Sequence, residues 1–268
     1  MNFKKYVVAL ATLFGAFALA GVAFATHSWG GYHWARTANP FTLKLGDNVS
    51  TVWDGHLAIA SSDWGVSPVL DTTIVAGASK RNCGPVNGRV EVCDKTYGNN
   101  GWLGVASVWV SGSHITQGTV KLNDTYFNTA YYNTPAWRQF VVCQEVGHTF
   151  GLDHQDVNFS NANLGTCMDY TNDPDGTLYH QLSNQHPNAH DYEELGIIYA
   201  HLDNFNSIFS SVFSKKSPAP ASLGDDIDTS NPAEWGKVVR KSSDSRSSLH
   251  ERDLGKGQKL FTFVIWAD

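Results

Sequence analysis

The fold is decided by Gln144-Glu145-Val146-Gly147-His148-Thr149-Phe150-Gly151-Leu152-Asp153-His154. Residues four apart on a helix project from the same face, so a helix through this stretch aims residues 144 and 148 at one point, with Glu145 beside them. Gly151 lets the chain leave the helix sharply, because glycine tolerates a positive φ angle. His154 then returns to the same point from beyond the turn. The spacing predicts a metal site with an acid–base carboxylate next to it.

A second stretch, Leu164-Gly165-Thr166-Cys167-Met168-Asp169-Tyr170, looks like a Met-turn, with Met168 beneath the metal. The two stretches together are similar to the pattern H-E-x-x-H-x-x-G-x-x-H followed by a Met-turn. The chain therefore resembles the metzincin metallopeptidases, most closely the matrixin-like branch, from about Tyr32 to Asp203. The resemblance implies an α+β fold: a metzincin-like zincin domain with a twisted mixed β-sheet, an active-site helix, a Met-turn and a C-terminal helix.

The resemblance also implies a function, that of a secreted zinc-dependent endopeptidase (a metalloendopeptidase). His148 and His154 are the expected Zn²⁺ ligands, with Gln144 at the third ligand position and Glu145 as the general base for a metal-activated water. An extended polypeptide substrate is expected to pair by backbone hydrogen bonds with an edge strand. The residues of that edge strand are Gly104, Val105, Ala106 and Ser107.

Gln144 departs from the pattern, which has histidine at this position. Its neutral amide oxygen is a poorer zinc ligand than an imidazole nitrogen, and three interpretations stay open. Gln144 ligates through its oxygen, or two histidines hold the metal with water or with Asp153 or Asp156, or the site has lost its metal. The alternative functions are accordingly a catalytically inactive binding protein on a zincin scaffold, or a zinc hydrolase of cell-wall peptides. Cys143 lies too far round the helix to replace the missing imidazole.

The N-terminal residues have the features of a secretion signal. Lys4 and Lys5 precede an apolar run over 6–20, and Ala23-Phe24-Ala25 offers small residues for cleavage. We therefore expect residues 1–25 to be a signal peptide and the protein to be secreted, extracellular or periplasmic. Cleavage after Ala25 would change the formal net charge from −6 to −8, because it removes two lysines and no acidic residue. A mildly acidic chain gives no electrostatic reason to expect nucleic acid or anionic membranes as partners, and we expect a monomer.

Composition divides the rest of the chain. We assign 26–213 to the metzincin-like catalytic domain, 214–231 to a linker, and 232–268 to a C-terminal tail that ends in an apolar strand. An apolar strand left exposed would promote aggregation, so this strand is expected to pair with another. One hypothesis is that the tail from Ser214 onward lies over the cleft or guides secretion.

The four cysteines are Cys83, Cys93, Cys143 and Cys167, and an even number in an exported chain favours two disulfide bonds. Three pairings are possible, and we favour Cys83–Cys93 with Cys143–Cys167. The second pair would tie the active-site helix to the Met-turn and contribute about 3 kcal/mol by the loop-entropy model.

Local patterns predict the main helices and strands. Strands are expected over 41–45, 71–76, 103–110, 115–122 and 260–267, and helices over 52–63, 135–151 and 188–202. The run 172–176 resembles a fragment of a calcium loop, but it lacks the remaining ligands, so a polar turn is the favoured interpretation and Ca²⁺ a weak second cofactor.

Overall fold

The computed structural model describes residues 27–78, 81–208, 224 and 226–267. The predicted signal peptide and most of the predicted linker lie outside these residues. The helices are α1 (Thr51–Trp64), α2 (Asp124–Phe127), α3 (Pro135–His148) and α4 (Ala189–Ile198). The strands are β1 (His33–Trp34), β2 (Phe41–Asn48), β3 (Leu70–Ala76), β4 (Val90–Lys95), β5 (Trp102–Ser111), β6 (His114–Asn123), β7 (Lys237–Lys241), β8 (Ser247–Gly255) and β9 (Gln258–Trp266).

The strands of the described residues form one mixed sheet, so the predicted α+β class with a mixed sheet is confirmed. Its order is β3-β2-β4-β6-β5-β9-β8-β7, and β1 pairs with β6 beside this path. Neighbours from β3 to β6 are parallel, whereas those from β6 to β7 are antiparallel. The sheet is therefore a parallel half followed by an antiparallel half, and the two meet at β6, next to β5.

Helix α3 starts as its sequence predicts. The Thr134 side chain accepts a hydrogen bond from the backbone N–H of Trp137 (3.2 Å), and Pro135 takes the first helical position. Such a cap stabilises a helix by about 1 kcal/mol. Every residue of α3 after Pro135 is buried, because the helix packs against the sheet on one side and α1 on the other.

Two helix ends differ from prediction. Helix α3 ends at His148, not at Gly151, because the next three backbone N–H groups bond to carbonyls three residues back and tighten the last turn. Gly151 follows with φ 104°, and a Cβ there would lie 2.4 Å from the Tyr32 carbonyl oxygen. Glycine is therefore required where the chain turns towards His154. Helix α4 spans 189–198, shorter than the predicted 188–202, and Tyr199 after it leaves the helical conformation.

Three C-terminal strands, β7, β8 and β9, extend the same sheet. The predicted apolar strand lies within β9, which pairs antiparallel with β5 along its length, so the expectation that it finds a partner strand is confirmed. On one face of this half-sheet, Trp102, Val105, Trp235 and Val264 form a small buried cluster of their own. The C-terminal tail is thus packed against the rest of the protein.

The structure joins both favoured cysteine pairs. Cys83 bonds to Cys93, and Cys143 bonds to Cys167. None of the described helices is long and apolar enough to cross a membrane.

Candidate metal centre

Two imidazoles converge beside the end of α3. His148, the last residue of α3, and His154, beyond the Gly151 turn, have their Nε2 atoms 3.0 Å apart. His148 Nδ1 donates to the Leu152 carbonyl oxygen at 2.9 Å. The Nε2 atom of the neutral His148 ring therefore carries the lone pair. His154 Nδ1 lies 3.3 Å from a carboxylate oxygen of Asp153, which favours a proton on Nδ1 and a lone pair on Nε2. With both protons on Nδ1, two lone pairs face each other across 3.0 Å, whereas with the His154 proton on Nε2 the two rings share a hydrogen bond.

Burial keeps both rings neutral. Desolvation, helped by the neighbouring His154, lowers the pKa of His148 well below its usual range. Desolvation also lowers the pKa of His154, although Asp153 opposes the shift. Neutral imidazoles are the form that binds metal ions, so both rings are in the protonation state that a metal ligand needs.

Gln144 and Glu145 lie on the same helix, and both are buried. The Gln144 Nε2 group donates to the Cys167 carbonyl oxygen at 2.9 Å, while its Oε1 has no hydrogen-bond partner among the described residues. Neither Glu145 carboxylate oxygen has a well-formed hydrogen bond there either. Burial raises the pKa of Glu145 well above its usual range, and the nearby backbone N–H of Ala106 offsets this only in part. A water molecule or a metal ion would satisfy these oxygens, for which the described residues offer no well-formed hydrogen bond.

Met168 packs beneath this helix. A Cβ added at Gly147 would lie 2.6 Å from the Met168 sulfur and 2.7 Å from the Trp64 ring, so only glycine fits here. The Cys143–Cys167 bond links α3 directly to the residue before Met168. The helix and the turn are therefore held together by a covalent bond and by close packing.

The two carboxylates considered as substitute ligands are engaged elsewhere. Asp153 forms a two-bond ion pair with the guanidinium of Arg240 on β7. Burial alone would raise the pKa of Asp153, but His154 and Arg240 outweigh it and hold that pKa far below its usual range. Asp156 accepts hydrogen bonds from the backbone N–H of Asn158 and the side chain of Asn161. Asp153 reaches only Nδ1 of His154, so neither contact set directs a carboxylate to the two Nε2 atoms.

The C-terminal strands cover the centre. The Phe263 ring on β9 stacks on the His148 ring, with centroids 4.1 Å apart and planes 12° apart. The predicted substrate strand is not a free edge, because Gly104, Val105, Ala106 and Ser107 pair with Ile265, Val264, Phe263 and Thr262 of β9. Gly104 is also the point where Glu145 approaches β5, since a Cβ there would lie 2.8 Å from Glu145 Oε1. The backbone position expected for an extended substrate is occupied by a strand of the same chain.

The donor set fits a divalent metal ion. His148 and His154 offer neutral nitrogens, and Gln144, one helical turn before His148, has a buried amide oxygen with no hydrogen-bond partner among the described residues. Ligands about 2.0–2.1 Å from Zn²⁺ at tetrahedral angles are about 3.3 Å from one another, close to the 3.0 Å between the two Nε2 atoms. The geometry gives no support to Asp153 or Asp156 as ligands, and Cys143 is in a disulfide bond.

Sequence reasoning missed four residues of this region. Trp29 donates its indole N–H to the His148 carbonyl oxygen at 3.0 Å, and the Tyr170 ring lies 4.4 Å from that of His154. Phe263 and Arg240 come from the distant tail. Tyr170 belongs to the Met-turn stretch and so carried a signal, but the other three are placed by long-range packing. In the 172–176 run, Asp175 accepts hydrogen bonds from the backbone and hydroxyl of Thr177, as in a polar turn.

No family model and no curated protein matches the chain. Among solved structures, one similar chain is High choriolytic enzyme 1 (HCE-1), a hatching enzyme zinc-protease from Oryzias latipes (Medaka fish). The two are 11% identical with a TM-score of 0.37, and the match covers 64% of this chain and 96% of that chain. At this identity and TM-score the similarity does not bear on activity.

Proposed function

We propose that the protein is a secreted zinc-dependent endopeptidase of metzincin type, held in a latent form by its C-terminal strands. The observation that carries the proposal is the approach of His148 Nε2 to His154 Nε2 at 3.0 Å, at the end of the helix that also carries Gln144 and Glu145. Zn²⁺ held there supplies Lewis-acid chemistry, which polarises a peptide carbonyl and lowers the pKa of water. Signal peptide 1–25 and the two disulfide bonds agree with an exported chain.

The residues of the chain have distinct roles. His148 and His154 hold the ion, and Gln144 completes the set through Oε1, since its Nε2 is fixed on the Cys167 carbonyl. Glu145 takes a proton from the attacking water and passes it to the leaving amine. Met168 and the Cys143–Cys167 bond fix the floor of the centre.

The C-terminal strands account for latency. An extended substrate pairs with β5 through the same backbone groups that now bond to β9, so substrate and tail exclude each other. Phe263 lies on the His148 ring, and Arg240 anchors β7 to Asp153 next to His154. Displacement of β9 exposes the centre and the edge of β5 together.

The rival function is a catalytically inactive binding protein on the same scaffold. The observation in its favour is the complete burial of Glu145 under the C-terminal strands. The two functions differ in zinc-dependent hydrolysis. Cell-wall peptides as substrates are tested by the same assay with a peptidoglycan-derived peptide in place of protein.

The deciding experiment measures zinc content and hydrolysis of an unfolded protein substrate by the full chain. We expect the wild type to bind zinc at this centre and His154→Ala to lose that zinc. We also expect the wild type to hydrolyse the substrate slowly, and Glu145→Gln to lower that rate by about 10²-fold or more. Glu145→Gln keeps the side-chain shape, so its zinc content and thermal unfolding should match those of the wild type. Glu193→Gln, which removes an exposed carboxylate on α4, is the matched control and should hydrolyse at the wild-type rate. Zinc-free protein, or equal rates for the two variants, contradicts the proposal.

A further inference from the structure

A second group of metal-binding side chains lies away from the candidate centre, where β1 meets the turn after α4. The ligand atoms of His33, His201 and Asp203 all lie within 4.8 Å of one another. His33 Nε2 is 3.1 Å from His201 Nε2 and 3.6 Å from Asp203 Oδ1. His201 Nε2 is 3.9 Å from the same oxygen. Two imidazole nitrogens and one carboxylate oxygen therefore surround one point.

Hydrogen bonds to the rest of the fold hold His33 Nδ1 and Asp203 Oδ2, the atoms that do not face this point. His33 Nδ1 donates to the Gly31 carbonyl oxygen at 3.0 Å, so its Nε2 carries a lone pair. Asp203 Oδ2 accepts from the Arg36 guanidinium at 2.9 Å and from the Arg36 backbone N–H at 3.2 Å. Its other oxygen, Oδ1, is turned to the histidines. Desolvation lowers the pKa of His33 despite the neighbouring carboxylate, which keeps the ring neutral.

The surroundings fix these side chains. Arg36 is buried, and it also donates to the carbonyl oxygens of Tyr199 (2.8 Å) and His201. The Asp203 backbone N–H donates back to the Arg36 carbonyl at 2.9 Å. His114, at the start of β6, places its Nε2 3.1 Å from Asp203 Oδ1 and so adds a further contact to that carboxylate. Hydrogen bonds of this kind orient the ligands in metal sites.

We propose that His33, His201 and Asp203 form a second Zn²⁺ site, which ties β1 to the turn after α4. Two histidines and one carboxylate are a common zinc donor set, and tetrahedral ligands about 3.3 Å apart agree with separations of 3.1, 3.6 and 3.9 Å. The His201 side chain is 57% exposed, so the fourth position is open to water. Zn²⁺ here stabilises the fold, because it joins two segments that are far apart in sequence.

The test compares zinc content per chain in the full-length wild type, His201→Ala and a matched control, His186→Ala. His186 is a suitable control because it is also an exposed histidine paired with a carboxylate, 2.7 Å from Asp63, outside the cluster. After loading with zinc and removal of the excess, we expect His201→Ala to hold one zinc fewer than both other proteins. Equal zinc in His201→Ala and the wild type overturns the second site.

Thermal unfolding gives a readout that is independent of activity. With zinc in excess, the Tm of His201→Ala should be lower than that of the wild type, and in chelator the two should agree, because the exposed side chain contributes little else. A Tm difference that persists in chelator shows a role in packing alone and contradicts the proposal. His114→Ala should keep the site but weaken its zinc affinity by about 10- to 100-fold.

The two zinc proposals fail separately. Loss of zinc in His154→Ala but not in His201→Ala removes the second site and leaves the peptidase centre standing. The reverse pattern removes the peptidase centre and leaves the second site.

Discussion

Removal of the Phe263 ring should activate the protein. The side chain is completely buried and stacks on His148 at 4.1 Å, with a further edge contact to Trp29 at 5.3 Å. Phe263→Ala leaves a cavity and costs about 3–5 kcal/mol. Because the ring is buried only while β9 lies on β5, that cost falls on the covered state. The equilibrium between the covered and open states should then shift by roughly 10²- to 10³-fold towards the open state.

The assay is the initial rate of cleavage of an unfolded protein substrate by zinc-loaded full-length protein. A large rise in rate is expected for Phe263→Ala, and a smaller rise for Phe263→Leu, which keeps much of the apolar volume. Adding Glu145→Gln to Phe263→Ala should remove the gain, which would show that the new activity belongs to this centre. Phe127→Ala is the matched control, because Phe127 is equally buried in the main core but lies on α2, away from β9.

One result would refute the latency mechanism. If folded Phe263→Ala, with both disulfide bonds and its zinc intact, cleaves substrate no faster than Phe127→Ala, the ring does not control access. An equal rise in both variants would show that general loss of stability, not exposure of the centre, produces activity.

Three further outcomes are expected. Gln144→His should raise zinc affinity about tenfold or more, because an imidazole nitrogen is the better zinc ligand. An unchanged affinity in a competition titration would show that residue 144 does not face the metal. In denaturant titrations, Gly147→Ala should lower the free energy of unfolding by about 1–3 kcal/mol, because the added methyl group overlaps Met168. Gly55→Ala, at an open helical position, should raise that free energy by about 0.5–1 kcal/mol. Burial lowers the pKa of Lys121 to about 8 in the folded protein, against 10.5 as its ordinary value. Between about pH 8 and 10.5 the unfolded chain therefore binds more protons than the folded protein, and the free energy of unfolding of the wild type should rise as the pH rises. Lys121→Met should remove up to about 3 kcal/mol of that rise.

The sequence was sufficient where the interactions are local. Helical periodicity places Gln144 and His148 on one face, and glycine chemistry places the turn at Gly151, so the convergence with His154 follows from spacing. The cap at Thr134, the valine and aromatic content of β5 and the alternation of β6 are equally local signals. The Cys143–Cys167 pairing was favoured for the same reason, since each cysteine directly precedes a residue of the predicted centre.

The sequence was insufficient where distant segments pair. The apolar pattern of β9 shows that it needs a partner, but it does not specify β5, because any strand edge offers the same backbone groups. Arg240 reaches Asp153 across 87 positions of sequence for a similar reason. His33, His114, His201 and Asp203 are ordinary residues in sequence, and only the packing of β1, β6 and the turn after α4 brings them together.

Pairing of β9 with β5 has a kinetic consequence for any substrate. If β5 binds substrate as proposed, a strand of the same chain competes for it at an effective concentration that is typically in the millimolar range. A dilute substrate therefore binds β5 only during rare openings, whatever its intrinsic affinity. A single cut between residues 208 and 226 would turn β9 into a separate ligand that dilutes away after its first departure. One cleavage in that connection would convert reversible self-competition into lasting activation.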